Sequence, residues 1–210
     1  SYLVRSAYAQ DYADIRNIFN ELESKFSIKL YFDEFPITSW KIDHTLATKE
    51  DYKSLYHYVL KFDNEFSKYP KTFLKKTKLT AVVFVKSLAL GKQLRTAIPD
   101  YGKEILILDF ERGEHDSLYQ KHVIHHEFYH MIEEEFNQSP YWKDPSWAKL
   151  NEPQVQYGLG GKTVQGNSNV YAFTRPEKGF INLYSKSAIE EDKAEIYAAL
   201  FVKEEFDMLS

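Results

Sequence analysis

The sequence lacks cysteine, long apolar runs and clusters of basic residues, and each absence excludes a class of protein. Because none of the 210 residues is cysteine, disulfides and thiolate metal sites are excluded, and any metal must be bound by His, Asp or Glu. The longest apolar runs, LTAVVFV and ILIL, are far shorter than the roughly 18 residues that suggest a membrane-spanning helix. A formal net charge of −4 without a basic run gives no surface for phosphate groups, so nucleic acid is not an expected partner.

The spacing of the apolar residues predicts a single mixed α+β domain over residues 1–210, since a hydrophobic content of 43% is enough for one core. Helical spacing in DYADIRNIFNELESKF and after Thr48 predicts two helices, and the alternating segment SIKLYFDEF between them predicts a strand. KLTAVVFVKSL, rich in branched and aromatic residues, predicts a central strand, and KEILILDF predicts another. The Gly and Pro residues of ALGKQLRTAIPDYG indicate a connection between these two strands.

Four of the seven histidines lie in the segment KHVIHHEFYHMIEEEF, which is predicted to be a helix. Ser117 with Gln120 forms the pattern of a capping box at its start. Within this helix His126, Glu127 and His130 spell HExxH, and residues four apart share a helix face, so both imidazoles can bind one metal ion. Glu127 is turned by about 100° from His126, where a carboxylate can reach a metal-bound water without being a ligand.

Residues 137–180 are rich in turn formers and predict a long irregular segment, with GLGG at 158–161 and QGNSN at 165–169. A segment of this kind inside a compact domain is usually functional or disordered. Its Gly-rich part either covers one side of the metal site or forms a surface loop. Ser187 with Glu190 then predicts a second capping box, which opens a last helix through IEEDKAEIYAALFVKEEF.

A catalytic zinc site normally has three protein ligands and leaves a fourth position for water. In the pattern HExxHxxGxxH the third ligand is a later His, but here Glu133 stands at the Gly position and Phe136 at the final His position, so that pattern is excluded. The other common solution is a Glu from a later helix. Glu195, in the apolar sequence AEIYAA, is predicted as this ligand because a carboxylate in such a setting needs a partner, and a cation would be one.

The same helix offers alternatives to this prediction. Glu191 lies one turn before Glu195 on the same face and is the alternative third ligand. If Glu195 is the ligand, Glu191 or Asp192 is expected to accept the N–H of a ligand imidazole. Acidic residues in the first turn also have a simpler explanation, since they favour the helix dipole.

Two segments of the chain together resemble a known family. HHEFYHMI and INLYSKSAIEEDKAEIYAAL are similar to bacterial zinc-binding metallopeptidases of the gluzincin type, which pair HExxH with a later helix that contains an EDxAE-like sequence. The similarity is strongest over residues 104–202. It implies a zincin-like metalloprotease domain with a small mixed sheet, an HExxH active-site helix and a C-terminal helix that carries the third ligand.

The resemblance also implies roles for individual residues. His126, His130 and Glu195 would bind Zn²⁺, and Glu127 would be the general base. Tyr184 in NLYSKS occupies a position comparable to that of a tyrosine that assists the reaction in such enzymes, although a core or capping tyrosine is nearly as good an interpretation.

The function that we expect is hydrolysis of peptide bonds in a peptide or protein substrate by a metal-activated water, with Glu127 as general base. The strand KEILILDF is expected to be an edge along which an extended peptide pairs. The alternative is a non-catalytic zincin-fold module that recognises a protein or glycan, which sixteen tyrosines and three tryptophans would permit. An extracytoplasmic location, secreted or in the cell envelope with a leader removed, is also expected.

Overall fold

The apolar spacing of the sequence gives a mixed α+β fold with one small mixed sheet. The computed structural model describes residues 11–161, 164 and 170–209. The chain divides into two compact units, Ser1–Ile124, which we call the sheet unit, and His125–Ser210, which we call the site unit. The single domain over residues 1–210 stays a prediction.

The described part of the chain contains six strands and seven α-helices. The sheet unit consists of α1 (Tyr12–Phe26), β1 (Lys29–Tyr31), β2 (Asp43–Thr45), α2 (Tyr52–Phe66), α3 (Lys71–Lys76), β3 (Ala81–Leu90), β4 (Gln93–Leu94), β5 (Ala97–Asp100) and β6 (Ile105–Asp109). The histidine helix α4 (Ser117–Asn137) begins in this unit and ends in the site unit, which also contains α5 (Pro145–Ala148), α6 (Ile189–Phe201) and α7 (Lys203–Leu209). No described helix is long and apolar enough to cross a membrane.

Strand β3 is the centre of the sheet, as its sequence predicts. It pairs in parallel with β1 on one side and β6 on the other, while β5 is antiparallel to β6. The short strands β2 and β4 pair antiparallel with the end of β3. Two expectations are wrong here. The predicted connection between β3 and β6 contains β4 and β5, and β6 is no edge strand, because β3 and β5 occupy both of its sides.

Both faces of β3 are buried, which explains its continuous apolar sequence. Because successive strand residues point to opposite faces, Val83 joins a buried cluster on one face together with Ile107. Phe84 points to the other face, where its ring centroid lies 5.3 Å from that of Phe19 in α1 and 5.2 Å from that of Phe62 in α2. The helical spacing of α1 and α2 therefore serves to cover this face of the sheet.

The helices that carry the histidines and the last acidic residues do not begin as the sequence predicts. At the start of α4 the side chain of Asp116 accepts from Tyr119 N at 3.0 Å, while Gln120 donates to the carbonyl of Phe110. The capping box predicted for Ser117 and Gln120 is therefore wrong, although the helix itself is confirmed.

The last helix is preceded by a 3-10 turn, Ser185–Ser187, and its N-cap is Ala188, which makes no side-chain cap. The capping box predicted for Ser187 and Glu190 is therefore wrong, because the turn takes up Ser187. The predicted single helix is also divided in two, since the backbone at Val202 is extended between α6 and α7.

Candidate metal centre

Two imidazoles from α4 converge on one point in the site unit. His126 and His130 lie four residues apart, so the helix places them on one face, and both are buried. Their ring centroids are 4.9 Å apart, and the two Nε2 atoms approach to 3.2 Å. The HExxH spacing thus brings both rings together with their Nε2 atoms facing the same space.

A carboxylate from α6 completes a group of three. Glu191 Oε2 lies 3.1 Å from His126 Nε2 and 3.3 Å from His130 Nε2. The three atoms form a nearly equilateral triangle, and these residues are suited to hold a metal ion. With ligand bonds of about 2.0–2.1 Å and tetrahedral angles, neighbouring ligand atoms of a zinc site lie about 3.3–3.4 Å apart. The observed spacing therefore fits a small tetrahedral cation such as zinc.

Glu195, the residue predicted as the third ligand, lies on the opposite nitrogen of the first imidazole. Its side chain is 1% exposed, and Oε1 is 2.9 Å from His126 Nδ1. The other oxygen, Oε2, accepts from Asn182 Nδ2 at 2.5 Å. In this structure Glu191 faces both Nε2 atoms, whereas Glu195 holds the outer side of the His126 ring.

The charges of these groups are strongly coupled. Burial alone lowers the pKa of His126, but its contacts with the Glu191 and Glu195 carboxylates raise that pKa well above the ordinary value. Burial alone raises the pKa of Glu191, but its contacts with His126 and His130 outweigh burial and hold the pKa well below its usual range. The raised pKa of His126 favours its protonated, positive form, and the lowered pKa of Glu191 favours its ionised, negative form, so the two side chains stabilise opposite charges on each other.

The two residues predicted to act in catalysis lie close to this cluster. Glu127 follows His126 directly in α4 and is half-buried, and its charge contributes to the raised pKa of His126. The ring of Tyr184 is buried, with its centroid 5.7 Å from that of His126 and 4.8 Å from that of Tyr171. The structure therefore brings both residues to the same place as the candidate ligands.

The GLGG segment passes directly beside the centre. The N–H groups of Gly158 and Gly160 donate to the carbonyls of Lys186 and Ser187 at 3.0 and 2.9 Å. Gly161 is buried, and a Cβ atom on it would lie 2.3 Å from Tyr184 Oη and 2.8 Å from Glu191 Oε1. Only a glycine permits this close approach. The sequence QGNSN, which was also predicted to belong to this loop, lies outside the described residues.

A polar contact fastens α5 and the following loop to α6. Asp192 is buried, and its Oδ2 accepts from Trp147 Nε1 and from Tyr157 Oη, both at 2.7 Å. Burial raises the pKa of Asp192 to about 6, against the effect of these two hydrogen bonds. Asp192 therefore holds the irregular segment, and it is Glu195 that approaches a ligand imidazole.

Two residues of the site, Asn182 and Trp147, had no signal in the sequence. Trp147 lies 17 residues after His130 in the short helix α5, and Asn182 lies in the irregular segment before α6. Neither belongs to a spacing pattern, so only their contacts in the folded chain reveal them.

Comparisons with known proteins support the fold. No family model matches the chain, and no curated protein matches its sequence. Among solved structures, a protein from Bacteroides caccae has a similar fold, with a TM-score of 0.58 and 16% identity over 97% of this chain and 79% of that chain. Its crystal structure is described as that of a "putative zinc-binding metallo-peptidase". At this identity the likeness shows a common fold and nothing finer.

Proposed function

We propose that this chain is a zinc-dependent metallopeptidase with a zincin fold. The observation that carries the proposal is the triangle of His126 Nε2, His130 Nε2 and Glu191 Oε2, whose sides are 3.1–3.3 Å. Support also comes from the structural neighbour, which is described as zinc-binding. Since a catalytic zinc site has three protein ligands and an open fourth position, this set has the composition of a catalytic centre.

The cluster needs a cation for electrostatic reasons. Glu191, Asp192 and Glu195 lie in little more than one turn of α6, with side chains 13% exposed or less. Packing carboxylates this densely in a low dielectric is costly unless opposite charge lies among them. A divalent ion bound by Glu191 and the imidazoles would supply that charge.

In this proposal the two glutamates exchange the roles that the sequence suggested. Glu191 is the third ligand, because it faces both Nε2 atoms. Glu195 Oε1 lies 2.9 Å from His126 Nδ1, where it can accept the N–H of that nitrogen and so leave the lone pair of Nε2 for the metal, a common arrangement for metal-bound imidazoles.

The mechanism follows from the residues around this set. Held by His126, His130 and Glu191, zinc would supply a Lewis acid that activates water and polarises a carbonyl group. Glu127 takes the proton of the attacking water and passes it to the leaving amine. Tyr184, whose hydroxyl points to the space beside Glu191 and Gly161, donates a hydrogen bond to the oxygen on which negative charge develops. The substrate is a peptide or protein.

The test combines metal content with turnover. Protein purified without added metal and without a histidine tag should contain about one zinc per chain by elemental analysis. Glu127→Gln should retain zinc but lower the rate of cleavage of labelled casein and a peptide library by roughly 10²–10⁴-fold. Glu134→Gln, the same change elsewhere on α4, serves as the control and should leave both values unchanged.

Two results would count against the proposal. A parent protein that binds no zinc, even when zinc is offered, has no metal centre of this kind. A parent that binds zinc and a protein or glycan equally well with and without Glu127, and cleaves nothing, is the non-catalytic binding module that the sequence left as the alternative.

A further inference from the structure

We infer that Asn182 is a positioning residue of the metal centre, which acts through Glu195 on His126. The inference rests on the proposed function, because it takes His126, His130 and Glu191 as the metal ligands. In this inference Asn182 orients Glu195, and Glu195 in turn orients the metal ligand His126.

The contacts form a continuous chain of short distances. Asn182 Nδ2 donates to Glu195 Oε2 at 2.5 Å, and Glu195 Oε1 lies 2.9 Å from His126 Nδ1. Each carboxylate oxygen of Glu195 thus has its own partner. A carboxylate held at both oxygens cannot rotate without breaking one contact, so the bond to Asn182 fixes the direction in which Oε1 faces the imidazole.

The orientation of the Asn182 amide is itself determined by its neighbours. Its Oδ1 accepts from Ser185 N at 2.8 Å, and since a backbone N–H can only donate, the oxygen must be on that side. The amide nitrogen is therefore directed at Glu195, and it also donates to the carbonyl of Tyr171 at 3.3 Å. Asn182 is fully buried, so no water competes for these bonds.

A neutral donor suits the surroundings of Glu195. Its neighbours in α6, Ala194, Ala198 and Ala199, are all fully buried and offer no hydrogen bond from their side chains. A carboxylate in such a place needs donors, and an amide provides one without adding a competing positive charge near the metal. His126 is the imidazole on which this support acts, since its Nδ1 lies 2.9 Å from Glu195 Oε1.

The test uses zinc affinity, which requires no substrate. Asn182→Asp keeps the acceptor for Ser185 N but turns an oxygen toward Glu195, and this repulsion should turn the carboxylate away from His126. We expect zinc to bind about 10–100-fold more weakly, the usual cost of losing a group that supports a ligand. The dissociation constant is measured by competition with a chromophoric chelator on metal-free protein.

A double variant provides the decisive comparison. In Glu195→Gln the new side-chain NH₂ group must face either the NH₂ group of Asn182 or the Nδ1–H of His126. Both arrangements place two donors against each other, so both should weaken zinc binding. In Asn182→Asp/Glu195→Gln the donor and acceptor are exchanged, so the chain of hydrogen bonds can form again. The double variant should bind zinc at least about tenfold more tightly than Glu195→Gln alone.

Ser185→Ala separates positioning from general stability. It removes the Ser185 hydroxyl that donates to the Asn182 carbonyl at 2.8 Å, but leaves the bond between Asn182 and Glu195 in place. It should lower the melting temperature without changing zinc affinity by more than about twofold. If Asn182→Asp does not fold, the zinc affinities of Glu195→Gln and the double variant still test whether Asn182 positions Glu195.

The outcomes distinguish this inference from the proposed function. Absence of zinc in the parent refutes the proposed function and the inference with it. A zinc-binding parent whose affinity is unchanged in Asn182→Asp, or a double variant no tighter than Glu195→Gln, overturns the inference and leaves the metal centre standing.

Discussion

Helices α2 and α6 have similar lengths, 15 and 13 residues, but they bury different kinds of side chain. Apart from Glu65, α2 buries apolar and aromatic residues, namely Leu55, Tyr56, Tyr58, Val59, Phe62 and Phe66. Helix α6 buries three alanines and four charged residues, namely Ala194, Ala198, Ala199, Glu190, Asp192, Lys193 and Glu195. The first set removes large apolar surfaces from water, whereas the second removes little and places charges in the interior.

The two helices therefore contribute differently to the stability of the fold. Burying a Phe side chain contributes about 1.5–3 kcal/mol, so α2 stabilises the sheet unit directly. The buried charges of α6 each cost free energy unless they have partners. Three of the four have a polar partner: Lys193 contacts Glu133 at 2.8 Å, Asp192 is held by Trp147, and Glu195 by Asn182. A helix that contributes so little apolar burial and needs so many partners is organised around a site.

The largest expected effect comes from breaking the apolar helix. Phe62 is fully buried, and its ring contacts those of Phe26, Phe66 and Phe84. Phe62→Ala leaves a cavity and should lower the free energy of unfolding by about 3–5 kcal/mol, measured by urea denaturation followed by circular dichroism. A loss below 1 kcal/mol would mean that α2 does not supply the core as described. Exposed Leu94→Ala is the control and should change stability little.

The next effect concerns α6 and tests whether Glu191 or Glu195 is the third metal ligand. Glu191→Ala removes a proposed ligand and should weaken zinc binding by more than about 100-fold. Glu195→Ala removes only the partner of His126 Nδ1 and should weaken it by about 10–100-fold. Both affinities are measured by chelator competition at one pH. If Glu195→Ala proves the more damaging variant, the third ligand is Glu195, as the sequence suggests.

The smallest effect tests the close approach of the loop to α6. A Cβ atom at Gly161 would meet Tyr184 Oη at 2.3 Å, so Gly161→Ala should cost about 1–3 kcal/mol of stability and displace the tyrosine. Gly158→Ala is the comparison, because its Cβ would meet Ser187 O at 3.1 Å, a tight contact but not the overlap expected at Gly161, so its loss should be smaller. The melting temperatures of the two variants provide the comparison. Equal shifts would show that Gly161 has no special steric role.

The comparison also explains which parts of the fold could be predicted. Helix α1 and strand β3 are confirmed because each has a clear local pattern: the apolar residues of α1 recur at helical spacing, and β3 is an almost continuous apolar run. The sequence predicts only a connection where strands β4 and β5 lie, since two and four residues are too few to establish a period. The two predicted capping boxes are wrong for different reasons: the side chain of Asp116 serves as the cap of α4 in place of Ser117, and a 3-10 turn before Ala188 contains Ser187.

The amino-acid sequence by itself determined that a metal ligand must be His, Asp or Glu, and that His126 and His130 share a helix face. It also limited the candidates for a third ligand to two glutamates of one helix, Glu191 and Glu195. Only the tertiary structure decided which of them faces the Nε2 atoms, because Glu191 and Glu195 lie on the same side of α6 and differ only in height along its axis, about 6 Å. The position of α6 along its axis relative to α4 is set by packing between elements that are distant in sequence. The same packing places Asn182 and Gly161 beside the centre, and a local sequence pattern cannot predict it.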